Sequence, residues 1–422
     1  MTEGRLDVPG RNSARTPPSN LPEANALCWA LFIVFLAVPG SLVIRGQIVS
    51  AERSGVVPEN DFIYFYSMGR VFNEYPVTQL YDYDVQKKVA TEVHPMQTRA
   101  YGPNSYHPLI GVLFRPFARM PYLRAYLIWM AISFSLYCGG LALFLRRFYP
   151  AEPLQGSLIL CLSLCFYPLF WILTSGQIST IGFFAIALAF CKDDQKRPFM
   201  SGLALSVCLY KPPLLTLLLP MILITRRLRT LAGVFCGGAA AAVVVTGIQG
   251  VGVWPGYLER LLSFATGSLQ TKSFKILWYY LDLASFSALV PGGNSWLGRI
   301  AFLACAGAAG FVLFRGWRNS VGAGKPEQRL VWATTLTWTL VLNVYVPIYD
   351  SILIVLSLVA TSVVLKDFPM VALSRRFTLL WLLILACSWI TVPAAQASGV
   401  QIMTILLAIL GTLQLAALKP AI

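Results

Sequence analysis

Apolar residues in this chain come in long unbroken blocks, with the polar residues gathered into a few blocks between them. The apolar blocks run at about the length that crosses the hydrocarbon core of a bilayer. The pattern predicts crossings over 26–44, 123–145, 154–173, 178–191, 231–250, 297–314, 330–347, 351–365, 377–392 and 400–418. Two further blocks, 199–210 and 214–225, are too short, since a helix rises ~1.5 Å per residue against a core of ~30 Å. They flank Lys211-Pro212-Pro213, and prolines break a helix. They therefore read as two half-crossings that enter and leave by the same side, and such broken backbone is tolerated where it lines an enclosed or wet cavity. All these blocks are far longer than the alternating strands of a membrane barrel. The expected fold is an all-α polytopic membrane protein, a bundle of about twelve helical segments.

Two polar blocks are long enough to hold structure of their own. The first, 45–122, contains Asp61 at the head of Asp61-Phe62-Ile63-Tyr64-Phe65-Tyr66, with an amphipathic helix expected over 62–72. Leu80-Tyr81-Asp82 ends that unit, and Tyr106-His107-Pro108-Leu109 turns the chain back towards the bilayer. The apolar piece 109–117, bounded by Pro116 and Pro121, is too short to cross and reads as interfacial or re-entrant. The second block, 251–296, carries Trp254, Trp278, Tyr279 and Tyr280, residues that settle at lipid–water boundaries, so one or two helices lying along the membrane are expected there. Residues 1–25 read as a disordered cytoplasmic tail, and 26–422 as a single integral domain.

Composition narrows the class further. The 422 residues are 57% hydrophobic and 12% charged, where a soluble domain carries about a quarter charged. The net charge of +15 would suggest a nucleic-acid partner in a soluble protein. Here the basic residues fall in short loops, where they set orientation, and no nucleic acid is implied. The nine cysteines lie in or beside apolar blocks, and His94 and His107 are the only histidines. Neither a disulfide framework nor a metal site follows.

The loops with Arg146-Arg147, Lys192/Lys196/Arg197, Arg226/Arg227/Arg229, Arg315/Arg318/Lys325/Arg329 and Lys366/Arg375/Arg376 can all be assigned to the cytoplasm with consistent alternation. Asp61, the corner Ser175-Gly176-Gln177, the tip at Lys211, the aromatic block and Tyr349-Asp350 then converge on the opposite face. Polar groups gathered on one side of a membrane mark a site.

Those same pieces, in the same order, resemble glycosyltransferase family 87. The matching features are Asp61-Phe62 with Tyr64 and Leu80-Tyr81-Asp82, Tyr106-His107-Pro108-Leu109 with Pro116, Ser175-Gly176-Gln177, Lys211-Pro212 and Tyr349-Asp350. The resemblance implies a GT-C fold with extracytoplasmic amphipathic helices in, by expectation, a bacterial plasma membrane. It implies a polyprenyl-phosphate sugar donor, mannose by family habit, a lipid or glycan acceptor, contact with membrane lipids, inversion at the anomeric carbon and no cofactor. The chain departs from the family at two places. It has His107 where a proline is usual, and Asn343-Val344-Tyr345-Val346-Pro347 where a Ser-Pro-His run is usual, so Tyr345 stands in place of the histidine.

A sugar on a lipid phosphate has a good leaving group, so one positioned base for the acceptor hydroxyl suffices, unlike the two carboxylates of glycoside hydrolysis. Asp61 is the candidate base; its other reading is a helix N-cap, a job Asn60 can also do. Lys211 is the candidate for the donor phosphate, or else snorkels to the interface. Arg70 and Arg115 are candidate assistants there, or ordinary solvated charges. Tyr64, Tyr106, His107, Gln177, Tyr345, Tyr349 and Asp350 are candidate substrate contacts. The alternatives are packing for His107, a turn for Gln177 and capping for Asp350. A lipid or solute transporter or flippase is the rival function, since it too uses broken helices. Internal repeats would favour it, and none is visible.

Overall fold

A computed structural model describes residue 26 and residues 29–54, 60–95, 104–149, 153–265, 276–289, 295–320, 325–343, 345–367 and 371–418. The expected tail at 1–25 lies outside them. The described residues are helical almost throughout, their one β-contact being an isolated bridge between Tyr280 and Pro347. The protein is an all-α polytopic membrane protein.

The candidate crossings are α1 (Trp29–Ser50), α5 (Tyr122–Phe148), α11 (Leu228–Gln249), α14 (Trp296–Asn319), a span Ile348–Leu365 that overlaps α16 (Ile354–Asp367), and α17 (Val371–Ser398). Each of the six spans is long and apolar enough to cross by itself. Shorter segments fill the bundle between them: α6 (Pro153–Leu164) with α7 (Tyr167–Ser175), α8 (Ser179–Asp194), α9 (Pro198–Ser206), α10 (Leu218–Ile224), α15 (Lys325–Val341) and α18 (Ile402–Ala417). The twelve apolar blocks of the sequence each form helix, but the blocks 178–191, 330–347 and 400–418, expected to cross, give the shorter helices α8, α15 and α18 of 16, 17 and 16 residues. One block, 154–173, is not straight: α6 and α7 meet at 51° around Cys165 and Phe166. Pro168, in the first turn of α7, has no amide to continue the hydrogen-bond ladder of α6.

Two short helices form on either side of the lysine–proline break. α9 tightens into a 3-10 turn, Val207–Tyr210, before Lys211, and a second 3-10 turn, Pro212–Leu215, leads to α10. α9 packs closely on α11. A Cβ on Gly202 would meet the carbonyl oxygen of Thr230 at 1.9 Å, and one on Gly233 that of Phe199 at 2.1 Å. Gly233 and Gly237 form the small-xxx-small spacing that lets two membrane helices approach backbone to backbone.

The polar blocks form α2 (Phe62–Glu74), α3 (Tyr83–Val93), α4 (Pro108–Phe114), α12 (Val253–Ala265) and α13 (Leu283–Leu289). The pattern suggested an amphipathic α2 with one wet face. The helix forms, with Arg70, Asn73 and Glu74 on its outer face and nine of its residues, from Phe62 to Phe72, buried. The reason is aromatic packing on several sides: Phe62 touches Phe114, Tyr122 and Tyr126, and Phe65 stacks on Phe114. α2 is therefore a core element that holds the residue at its head in a fixed place.

α8 separates the polar ends of the molecule. At its C-terminus Asp193 accepts from Trp332 Nε1 and Gln328 Nε2, both at 2.6 Å. Asp194 there binds Arg147 and Arg329. Four of the five basic loops thus meet at one end, Arg227 joining through Asp193. Ser179, at the other end of α8, is about 22 Å away at 1.5 Å per residue.

Candidate active site

Asp61 does not cap α2. Its side chain makes no capping hydrogen bond; Asn60 Oδ1 instead accepts from the Phe62 amide at 3.2 Å and from the Tyr122 hydroxyl at 2.6 Å. With the cap supplied next door, the half-buried Asp61 carboxylate makes contacts elsewhere. Its Oδ2 accepts from Gln177 Nε2 at 2.8 Å.

Gln177 reaches Asp61 because of the corner it sits in. α7 ends on Gly176, whose φ of +74° is left-handed, a conformation that costs residues with a Cβ. A Cβ there would stand 2.6 Å from the Cβ of Phe62. The corner and the head of α2 are thus pressed together, and Trp129 Nε1 clamps it from behind by donating to the carbonyls of Gly176 and Gln177 at 3.2 and 3.3 Å.

Two residues on, Ser179 opens α8 and donates to Asp350 Oδ1 at 2.7 Å. The other oxygen of Asp350 lies 2.6 Å from Lys211 Nζ, and the two side chains are only 2% and 5% exposed. This is a close charge contact, though the angles fall outside hydrogen-bond geometry. The Lys211 ammonium also sits 4.9 Å from the centre of the Tyr349 ring. Asn343 ties the lysine–proline break to the late loop, donating to the Pro213 carbonyl at 2.7 Å. Asp61, Gln177, Ser179, Asp350 and Lys211 therefore form one connected series, drawn from four separate stretches of chain.

Phenols surround the series. The ring of Tyr106 stacks on that of Tyr210, and Tyr280 packs on Tyr345 with centroids 5.1 Å apart. Tyr106 and Tyr345 both lie within electrostatic reach of Asp61 and Asp350. Burial, and then the neighbouring Tyr345 and carboxylates, hold the Tyr106 hydroxyl well above the usual phenol range. Burial and Tyr345 do the same for Tyr280. Both stay protonated, and the Tyr280 hydroxyl is hydrogen-bonded to Tyr345. Tyr64 follows Asp61 by one turn of α2, and its carbonyl accepts from Asn104.

Three candidates are spent elsewhere. Arg70 is bound by Glu74 at 2.9 Å and Glu92 at 3.4 Å; nine residues on from Asp61, it points to the opposite side of α2. Arg115 pairs reciprocally with Asn73, Nε to Oδ1 at 3.0 Å and carbonyl from Nδ2 at 2.9 Å. His107 caps α4, its Nδ1 accepting from the Leu109 amide, and packs edge-on to Trp254 and Tyr257. Burial pushes its imidazole down to about 4.

Sequence reasoning passed over four residues of this region. Ser179 was visible as a hydroxyl two places after Gln177, and Asn60 only as an alternative cap. Tyr210 and Asp282 gave no local signal. Asp282, fully buried, accepts from the amides of Ser285 and Val346, and so docks the second polar block onto the loop that carries Tyr345.

A model of glycosyltransferase family 87 matches residues 104–344, more than half of the chain. Gln177, Ser179 and Lys211 fall inside the match, and Asp61 and Asp350 lie on either side of it. No curated protein and no solved structure matches.

Proposed function

The chain belongs to glycosyltransferase family 87 and is a membrane glycosyltransferase, and from that premise we propose that it moves a sugar, mannose by the resemblance, from a polyprenyl phosphate to a hydroxyl of a lipid or glycan acceptor on the extracytoplasmic face. The observation that carries this reading is the linked series Asp61–Gln177–Ser179–Asp350–Lys211. It sets a carboxylate at one end and an ammonium group at the other, as an in-line transfer needs for its attacking and leaving oxygens.

In this mechanism the acceptor oxygen forms a bond to the anomeric carbon from the face opposite the phosphate. The bond between that carbon and the phosphate oxygen breaks, and its electron pair stays on the phosphate. The acceptor proton passes to Asp61, and the anomeric configuration inverts. Polyprenyl phosphate leaves with one more negative charge than it held as a diester. Lys211 lies where that charge develops, and charge placed in advance at such a point lowers the barrier. Asp350 already has an ammonium partner and a serine donor, which fits holding Lys211 better than taking a proton. The protonated Tyr106 hydroxyl supplies a hydrogen bond to a ring hydroxyl or phosphate oxygen.

The test is a panel of radiolabelled polyprenyl-phosphate sugars offered to the purified protein with octyl glycosides and membrane polyol lipids as acceptors, run beside Asp61→Asn. One sugar is expected to transfer, and Asp61→Asn to lose at least about 10²-fold in rate with donor binding intact. Transfer by Asp61→Asn within a few fold of the parent removes Asp61 as the base. Transfer from nucleotide sugars alone removes the donor class.

A further inference from the structure

Gln177 is 5% exposed, and only one end of its amide is used. Nε2 donates to Asp61, while Oε1 is buried with no hydrogen-bond partner among the described residues. Turning the amide over would set its carbonyl against the carboxylate, so Asp61 fixes which end is spare. The corner itself is rigid: the Gln177 amide donates to the Ile172 carbonyl at 3.0 Å, and Trp129 holds the two carbonyls of the corner. An unmatched acceptor on a rigid support, one amide width from the carboxylate, is what a polyol substrate with a hydroxyl beside its reacting atom would fill.

We propose that Gln177 is a positioning residue that orients Asp61 through its N–H while its Oε1 reads a substrate hydroxyl adjacent to the reacting centre. The proposal rests on the reading of Asp61 as the base. Such a hydroxyl has two sources: the carbon next to the attacking hydroxyl of the acceptor, or the carbon next to the anomeric centre of the sugar being moved. In either case the hydroxyl donates to Oε1 while the attacking hydroxyl gives its proton to Asp61, so one side chain couples the recognition of substrate to the aim of the base.

The experiment uses the full chain in nanodiscs and follows release of polyprenyl phosphate, which reports transfer to octyl mannoside or to water. Polyprenyl-phosphate mannose and its 2-deoxy analogue form the donor arm; octyl mannoside and its monodeoxy analogues form the acceptor arm. Gln177→Met keeps the length and removes both hydrogen bonds. It is expected to lower kcat by about 10- to 100-fold, the effect of one hydrogen bond to a charged group, with donor KM within about threefold and the acid limb of the pH–rate profile moved to higher pH. The parent is expected to discriminate against one deoxy substrate by at least about tenfold, and Gln177→Met to treat it like the hydroxylated one. The arm in which this happens identifies the source. Gln177→Glu restores a donor only when protonated, so its deficit is expected to shrink as pH falls, a behaviour that a merely structural role would not produce.

A Gln177→Met protein with parental pH profile and kcat overturns the positioning role. Equal discrimination by parent and variant against every deoxy substrate, or none by the parent, overturns the reading of a hydroxyl. Asp61→Asn separates the two levels: if it is inactive while Gln177→Met is unaffected, this proposal fails and the base assignment stands.

Discussion

Removing the Lys211 ammonium group separates the structural value of the buried ion pair from its chemical value. Lys211 Nζ and Asp350 Oδ2 are 2.6 Å apart and almost fully buried. At an effective dielectric constant near 20 their gross attraction is about 6 kcal/mol. Loss of one partner leaves the other charge buried and uncompensated, and typically costs about 3–5 kcal/mol. Lys211→Met keeps most of the side-chain volume and is expected to show that loss as a fall in melting temperature of the detergent-solubilised protein. Lys211→Met/Asp350→Asn removes both charges. Ser179 can still hydrogen-bond the amide, so most of the lost thermal stability is expected to return. Donor binding, read by equilibrium binding of radiolabelled polyprenyl-phosphate mannose, is expected to be lost in both proteins. Recovery of donor binding along with stability in the double variant would show that Lys211 only balances Asp350. A single variant that melts and binds like the parent would refute the pairing itself.

Three more predictions follow from particular contacts. Gly176→Ala forces a Cβ towards Phe62 at a φ of +74°; it is expected to cost about 1–2 kcal/mol in stability and to lower kcat more than KM, since it pushes the Gln177 corner off Asp61. His107 is held at about 4 against an ordinary 6.5, so the unfolded chain takes up its proton first as pH falls. Its contribution is complete above 6.5 and is lost between there and 4, so His107→Asn, which keeps a capping acceptor, is expected to flatten the melting temperature between pH 7 and 5. Asp193→Ala removes the acceptor of Trp332, Gln328 and Arg227; it is expected to lower the melting temperature through those unpaired buried donors while leaving donor KM unchanged, the lock lying a helix length away.

Family membership disfavours the transporter reading, and the geometry indicates what the broken helix is for. Between α9 and α10 the break brings Lys211 against Asp350, which also binds Ser179. Arg70 and Arg115 show the limit of reasoning from charge alone. Both lie in the same polar block as Asp61, yet Glu74, Glu92 and Asn73 engage them.

The sequence by itself determined the class and the helices. Block length against bilayer thickness is a one-dimensional criterion, and the twelve apolar segments, the lysine–proline break and the short 109–117 piece could be read from it. So could the grouping of basic loops, because charge asymmetry acts loop by loop. Only the tertiary structure decided what Asp61 does with its carboxylate. Whether a residue at a helix start caps the helix depends on whether its neighbour already does, and here Asn60 is held in that role by Tyr122, a residue 62 positions away. The same holds for Asp350. In sequence it is one acidic residue beside a tyrosine; in space it receives Lys211 from the helix break and Ser179 from the start of α8. Pattern fixes which residues must leave water, but the pairing of buried polar groups is settled by which segments pack together, and that depends on contacts such as Gly176 on Phe62 and Gly233 on Phe199, for which periodicity carries no signal.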